Sequence, residues 1–460
     1  MSAGARCPAP ALDVREVTVD LQPAGRVWPE MIRSRWASRA MRTETRRFRE
    51  QLGLPTDAPI IATGHQPTMW HAGILAKYEA ADIAARSVGA HVVWLVADQD
   101  AVDPFQVRAP VLDAAGALTA TTVRLGPAPP AGVAAAMLPA SSTRPTINRT
   151  VAAPSVGDGL DQIIRAYADH QTAPNAAAQA GLATADLLGE LGLRGQLLFA
   201  TRLAATDLFT SLVEQMREDP DGFVRAYNAA VACRPHAGVS PLEISEVNHR
   251  YELPLWRIQP GVARQRIFEE DLDSVPASEL APRALLMTAL LRMAGCELFI
   301  HGVGGALYDR VTEDWIKGWL GEDLAPATLT TATLRLPLAS TAPSERDIER
   351  AFWLAHRARH DPSILGLDEL ARRKRSDVDR IESMRAAGED PAGVFQQMQR
   401  RLRAYRAEHA QRLTSLDERA IELARRGAER EIARDRTWAF ALHDRESLGA
   451  VRAAIARAFA

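Results

Sequence analysis

The stretch from Ala58 to Asp100 constrains this chain most. Ala58-Pro59-Ile60-Ile61-Ala62-Thr63 is a short apolar run that stops at Gly64, as a buried strand stops at a turn. Gly73 to Val88 follows, with Ile74, Tyr78, Ala81 and Ala85 on one helical stripe. His91-Val92-Val93-Trp94-Leu95-Val96-Ala97 is a second apolar run, too short and too β-branched to prefer helix, and it ends on Asp98-Gln99-Asp100. Strand, helix, strand is a crossover unit, and strands apolar on both faces belong to parallel sheet. The pattern predicts an α/β fold with a Rossmann-like parallel core.

The rest of the chain divides by composition. Residues 1–125 read as the first half of the core. Residues 126–280 read as a connecting and inserted region. It opens with a Pro-, Ala-, Gly- and Ser-rich stretch from Gly126 to Gly159, expected to be irregular and placed to serve as a lid or a partner-facing loop. Helical patterns follow over Leu160–Asp169, Ala176–Leu193 and Asp207–Arg217, then short strands over Tyr251–Ile258 and Arg264–Phe268. Residues 281–364 complete the core, with an apolar helix over Pro282–Ala294 and a strand over Glu297–Ile300. Residues 365–433 are rich in Arg, Glu, Gln and Ala. There Met398, Leu402, Tyr405, His409, Leu413, Leu416, Ala420 and Leu423 recur every three or four positions, predicting two long antiparallel helices joined around Pro391. Residues 434–460 read as a return helix. The basic run Arg372-Arg373-Lys374-Arg375 reads as a solvated helix face.

Three constellations can carry chemistry, each at the carboxyl end of an apolar strand, where open α/β sheets receive ligands. In the first, Thr63-Gly64-His65-Gln66 leads to His71-Ala72-Gly73 and Lys77. Backbone N–H groups at such a turn suit a phosphate or carboxylate, and His65 and His71 can donate to it or move protons. Lys77 is notable because the chain has only three lysines, Lys77, Lys317 and Lys374, among 55 basic residues. A compact ammonium kept beside a turn reads as a wanted point charge. In the second, Asp98, Gln99 and Asp100 can hold an amine, a ribose hydroxyl or a phosphate-bound Mg2+. In the third, His301-Gly302-Val303-Gly304-Gly305 runs toward Tyr308 and repeats the first arrangement, so the two histidine-bearing turns are expected to line one crevice from adjacent strands. Its glycines allow a ligand close to the backbone.

Several classes are disfavoured. A formal net charge of -2 gives no global electrostatic case for nucleic acid or an anionic membrane. The three cysteines, Cys7, Cys233 and Cys296, are far apart with no C-x-x-C, which argues against a disulfide framework or a cysteine-rich zinc site and for a reducing, cytoplasmic environment. The amino end lacks a signal-like apolar core, since Asp13, Arg15 and Glu16 interrupt it. The apolar stretch Ala284–Ile300 holds Arg292 and Glu297 and is too short to span a bilayer. No P-loop, nucleophile elbow or complete G-x-G-x-x-G occurs. A metal-dependent hydrolase using His65, His71, His301, Asp98 and Asp100 remains a minor alternative without a recognised ligand spacing, and no metal ligand is assigned.

At these residues the chain resembles the bacillithiol biosynthesis cysteine-adding enzyme family. That family has a strand ending T-G-Q-Q, a G-G-P-type helix opening, and a strand W-I-A-T closing on E-D-H-D. Here the matching text is Thr63-Gly64-His65-Gln66, His71-Ala72-Gly73 and Trp94 to Asp100. Its arginine-containing helix and G-G-P-x-E-x-x-Y turn are similar to Pro282-Arg283-Ala284 and Gly304-Gly305-Ala306-Leu307-Tyr308, and its helical hairpin to Leu365–Ile432. The resemblance implies a nucleotidyltransferase-like core, a coiled-coil arm, and a ligase that joins cysteine to the amino group of glucosaminyl-malate. His65 and Gln99 depart from the pattern, and Ala306 stands where the family has a proline. These departures mark a diverged branch whose substrate need not be the family's.

The expected protein is therefore a carbon–nitrogen ligase acting on small molecules, with ATP or ADP and Mg2+ as the implied cofactors and no structural metal. His65, His301 and Lys77 are the candidate catalytic residues. Thr63, Gly64, Gln66, His71, Gly73, Asp98, Gln99, Asp100, Arg283, Gly302, Gly304, Gly305 and Tyr308 are the candidate binding residues. A homodimer formed through the coiled coil is expected. The rival from another class is a nucleotide-binding regulatory or scaffold protein that dimerises through the same arm.

Overall fold

The computed structural model describes residues 17–39, 42–146, 150–245, 250–338 and 343–460; Cys7, Asp13, Arg15 and Glu16 lie outside them. The chain forms two compact units. One comprises the residues up to Val111, Ala120–Pro337 and Arg436–Ala460, and the other comprises Leu112–Thr119 and Leu338–Asp435.

A six-stranded sheet organises the first unit. Its strands are β1 (Thr18–Gln22), β2 (Ile60–His65), β3 (His91–Val96), β4 (Gln196–Phe199), β5 (Leu298–His301) and β6 (Ala327–Thr333), in the spatial order β1-β6-β5-β2-β3-β4. All pairings are parallel except that of the edge strand β1 with β6. Residues 60–63 of β2 and all four residues of β5 are buried, which is why both read as unbroken apolar runs. From β2 the chain moves outward through β3 to β4, whereas from β5 it moves the other way to β6. The order reverses between β2 and β5, and that is where an open α/β sheet offers a crevice.

Buried charge fixes this central pair in register. Arg49 Nη2 donates to Glu297 Oε1 at 2.6 Å, and Glu297 Oε2 accepts the Ile60 N–H at 2.6 Å, so one carboxylate holds the starts of β2 and β5. Losing either charged partner would strand the other in the core, at a cost of about 3–5 kcal/mol.

The helices that matter for the site are α1 (Ala72–Val88), α2 (Pro154–Asp169), α3 (Ala176–Glu190), α4 (Ala284–Leu290), α5 (Val303–Leu320) and α6 (Arg445–Phe459). The helix expected over Pro282–Ala294 is α4 followed by a π-turn at Leu291–Gly295, which turns the buried Arg292 inward. The stretch expected to be irregular from Gly126 to Gly159 is less so. It contains a 3-10 turn at Ala135–Met137, and α2 starts at Pro154, a residue whose fixed φ suits the first helical turn. Gly159 is a packing glycine there, since a Cβ would stand 2.0 Å from the Ala441 carbonyl oxygen. Arg250–Gln259 and Val262–Phe268 form an antiparallel hairpin, with Leu280–Pro282 on its other edge.

The second unit is helical and begins earlier than composition indicates. The helix Glu345–Ala358 opens on a capping box between Ser344 and Asp347 and packs along Ala410–Arg434, so the boundary lies at Leu338 rather than at 365. The two long helices expected here are three. Asp368–Ala386 turns back across Pro391 into Ala392–Glu408 around Ile381, Met398, Leu402 and Tyr405, and the chain breaks again at His409. In the basic run, Arg373 pairs with Glu369 and Lys374 donates to the His360 carbonyl. Among the described residues no helix is long and apolar enough to cross a membrane.

Candidate functional site

The turns after β2 and β5, the first turns of α1 and α5, and the start of α4 line one cavity of about 460 Å3. That size falls within the range of small-molecule sites. His65, Gln66, His71, Gly73, Lys77, Asp100, His301, Gly302, Gly304, Gly305, Tyr308 and Gly64 all reach it. Met287, Phe299 and Leu95 give it an apolar wall, and Arg436 adds a cation.

The β2 side is built on close approaches. At Gly64 a Cβ would stand 2.3 Å from the Leu95 carbonyl oxygen, so only glycine lets β3 pass. Lys77, rising from α1, is 3% exposed and donates to the Gly64 carbonyl at 2.5 Å. Burial lowers its ammonium to about 7, which leaves it divided between charged and neutral forms at neutral pH. His65 is held down at about 3 by burial and then by the Lys77 charge, so it is a neutral imidazole, and its Nδ1 has no hydrogen-bond partner among the described residues. His71 caps α1, its Nδ1 accepting the Gly73 N–H at 3.0 Å. That N–H, expected to be open to an anion, is already taken.

The β5 side is built on a relay of charges. His301 is buried, and its Nε2 lies 2.8 Å from Asp309 Oδ2. The same oxygen receives Arg292 Nη1 at 2.6 Å. Burial alone would raise the Asp309 carboxyl, but the charge and hydrogen bond of His301, with the Arg292 guanidinium, outweigh it and bring it down to about 2. An ionised carboxylate only accepts, so His301 Nε2 carries a proton and donates it to Asp309. Gly305 makes room for this ring, since a Cβ there would stand 2.5 Å from His301 Nδ1. No side chain caps the amino end of α5, where Gly302 is the cap residue, and the open N–H groups carry the positive end of the helix dipole.

Asp100 is the one carboxylate lining the cavity among the described residues, and it is held by Arg264 Nη1 at 2.9 Å and Gln66 Nε2 at 3.2 Å.

Four expected binding residues lie elsewhere. Asp98 is buried, with its oxygens bonded to the Thr201 N–H and hydroxyl at 2.9 and 2.6 Å. Burial, partly opposed by those bonds, moves it up to about 6. Gln99 donates to Met287 Sδ, behind the wall rather than into the cavity. Arg283 pairs with Glu252 and stacks on Trp256, whose other neighbour is Arg264. Thr63 ties β2 to β5 by donating to the Ile300 carbonyl. Each stands at a strand end or helix start, and each satisfies a partner within the protein instead.

Asp309, Arg292, Arg264 and Arg436 were missed. Asp309 has a trace in sequence, since it falls two turns after His301 on a helix that starts beside it. The arginines have none, because their partners are brought by other segments. Among the described residues no three His, Cys, Asp or Glu side chains assemble as a metal-ligand set. No family model matches the chain. No curated protein matches it.

Proposed function

We propose that this cavity is the active site of a ligase-like enzyme that forms a C–N bond between an amino acid and a small amine acceptor. The observation that carries the reading is His301: a buried imidazole whose Nε2 is held by an ionised aspartate and whose Nδ1 lies beside an uncapped helix end. Amide formation needs a base for the proton that the attacking amine loses, and His301 Nδ1 supplies it. It also needs fixed positive charge for the anionic carboxyl group, which the α5 amino end, Arg436 and protonated Lys77 provide.

The donor set of α5, Lys77 and Arg436 fits the phosphates of ATP, and Asp100 is the carboxylate through which Mg2+ would be held. ATP, when bound, supplies the leaving group that activates the carboxyl. The nucleotidyltransferase-like character of the core and the cysteine specificity of the family resembled belong to this same reading. The apolar wall of Met287, Phe299 and Leu95 suits a small thiol or alkyl side chain.

A second reading concerns the helical unit. Phe352, Trp353 and Ile421 are 47, 58 and 61% exposed, which favours a coiled-coil-like arm that pairs with a second copy. Light scattering on Trp353→Glu checks it, with a fall from dimer to monomer expected; an unchanged mass removes it.

The direct test of the enzyme is a mass-spectrometric search for the condensation product from full-length protein with cysteine, glucosaminyl-malate and ATP, each omitted in turn. Product that requires all three supports the reading. Its absence with a panel of amino acids and amines, from folded protein, overturns it.

A further inference from the structure

The cavity holds one amine. Lys77 rises from the second turn of α1 and is buried, yet it lines the cavity with the turns after β2 and β5. Its stem passes Gly302, where a Cβ would stand 3.8 Å from Lys77 Cδ, so the absent side chain leaves that flank open. The Nζ donates to the Gly64 carbonyl, and among the described residues no carboxylate pairs with it. The other groups facing it are His65, a neutral imidazole, and the Tyr78 ring at 5.9 Å, and neither supplies a counter-charge. The other two lysines are ordinary by comparison. Lys317 pairs with Asp323 at 2.9 Å from an exposed position, and Lys374 donates to the His360 carbonyl in the helical unit.

A buried ammonium without a counter-ion gives up its proton readily, and burial lowers this one to about 7. The neutral amine has two N–H groups and a lone pair. Gly64 takes one N–H and fixes the nitrogen, which leaves the lone pair as a held nucleophile. The same cavity offers a place for an anion, at the uncapped amino end of α5 and at Arg436. A ligand that meets both features joins an electrophilic carbonyl to a carboxylate.

We infer that Lys77 is the attachment site for a small oxo acid, whose aldehyde or ketone carbon it takes as an imine while the α5 amino end and Arg436 hold the carboxylate. The lone pair adds to the carbonyl carbon, and one amine proton passes to the carbonyl oxygen. That hydroxyl leaves as water with a second proton from solvent, and the C–N bond becomes the C=N bond of an iminium. The iminium keeps one N–H, which stays on the Gly64 carbonyl, and the bound carboxylate supplies the counter-charge that the protein withholds. This chemistry is separate from the ligase reading, in which Lys77 serves in its charged form.

The experiment is reductive trapping on the full-length protein at pH 7, with sodium cyanoborohydride and the adducts mapped by peptide mass spectrometry. Glyoxylate carries aldehyde and carboxylate, and acetaldehyde carries the aldehyde alone. The ratio of adduct at Lys77 to adduct at Lys317 cancels each probe's own reactivity. About half of Lys77 is free amine at that pH, against roughly one part in 10³ of an ordinary lysine. The glyoxylate ratio should therefore be about 10 or more, even with access restricted by burial. The acetaldehyde ratio should be about tenfold lower, and Arg436→Gln should bring the glyoxylate ratio down toward it. A glyoxylate ratio at or below one overturns the attachment site. Equal ratios for the two probes, or a glyoxylate ratio that Arg436→Gln leaves unchanged, overturn the carboxylate part. Trapping needs neither ATP nor an amine acceptor, so this inference and the ligase reading fail separately.

Discussion

The two histidine-bearing turns of this molecule look alike as text and do different work as structure. Each follows a buried parallel strand, each contains glycine, and each opens a helix. After β2, His71 turns back onto its own helix and takes the Gly73 N–H. After β5, the helix end stays uncapped, and the histidine is set by Asp309 and Arg292 from behind. One turn therefore positions Lys77 and closes a helix, whereas the other leaves an uncapped helix end beside an oriented imidazole. The lesson is that a histidine near a helix start has a role only once its hydrogen-bond partner is known.

The contrast breaks most sharply at the two histidines. His301→Asn should lower turnover by about 10²–10⁴-fold, the usual worth of a positioned base. Turnover within a few fold of wild type in the condensation assay would end the assignment. Glycines sharpen it next. Gly305→Ala puts a methyl 2.5 Å from His301 Nδ1 and should cost about 10–100-fold in activity, whereas Gly304→Ala, which meets no protein atom within 4 Å, should leave the His301 ring in place and cost less. Equal losses in the two would mean that the ring does not sit over the helix as described.

Lys77 is read through pH. Its folded ammonium titrates near 7 and its unfolded one near 10.5, so the unfolded chain binds more protons between those values and wild-type stability rises with pH across that window. Lys77→Met should therefore be more stable than wild type at pH 6 and lose that advantage by pH 10, as thermal unfolding at the two pH values would show. Its activity should fall, and the decline in wild-type turnover as pH rises through 7 should disappear. The smallest effect is at His71. His71→Ala removes a cap and should cost about 1 kcal/mol of stability by denaturant titration, with a smaller effect on turnover than His301→Asn.

The two halves of the site were unequally legible. Runs such as Ile60–Thr63 and Val92–Val96 announce parallel strands because a buried strand has no polar face to alternate. The strands β1, β4 and β6 were not anticipated; in β6, Thr328, Thr330 and Ala332 are buried through their place in the sheet rather than through strong apolar character. The candidate residues that line the cavity were visible because strand ends and helix starts are local. Asp98 and Arg283 misled because a charged residue at such a place reads the same whether it faces a ligand or a buried partner.

The sequence by itself determined the βαβ core, the position of its strand ends and the two turns whose residues line the cavity. Those follow from periodicity and from glycine, both properties of a few consecutive residues. Only the tertiary structure decided that β2 and β5 are neighbours, that the strand order reverses between them, and that Asp309 and Arg292 stand behind His301. Side chains from separate segments meet only when the sheet is assembled, and burial then sets which of them carry charge.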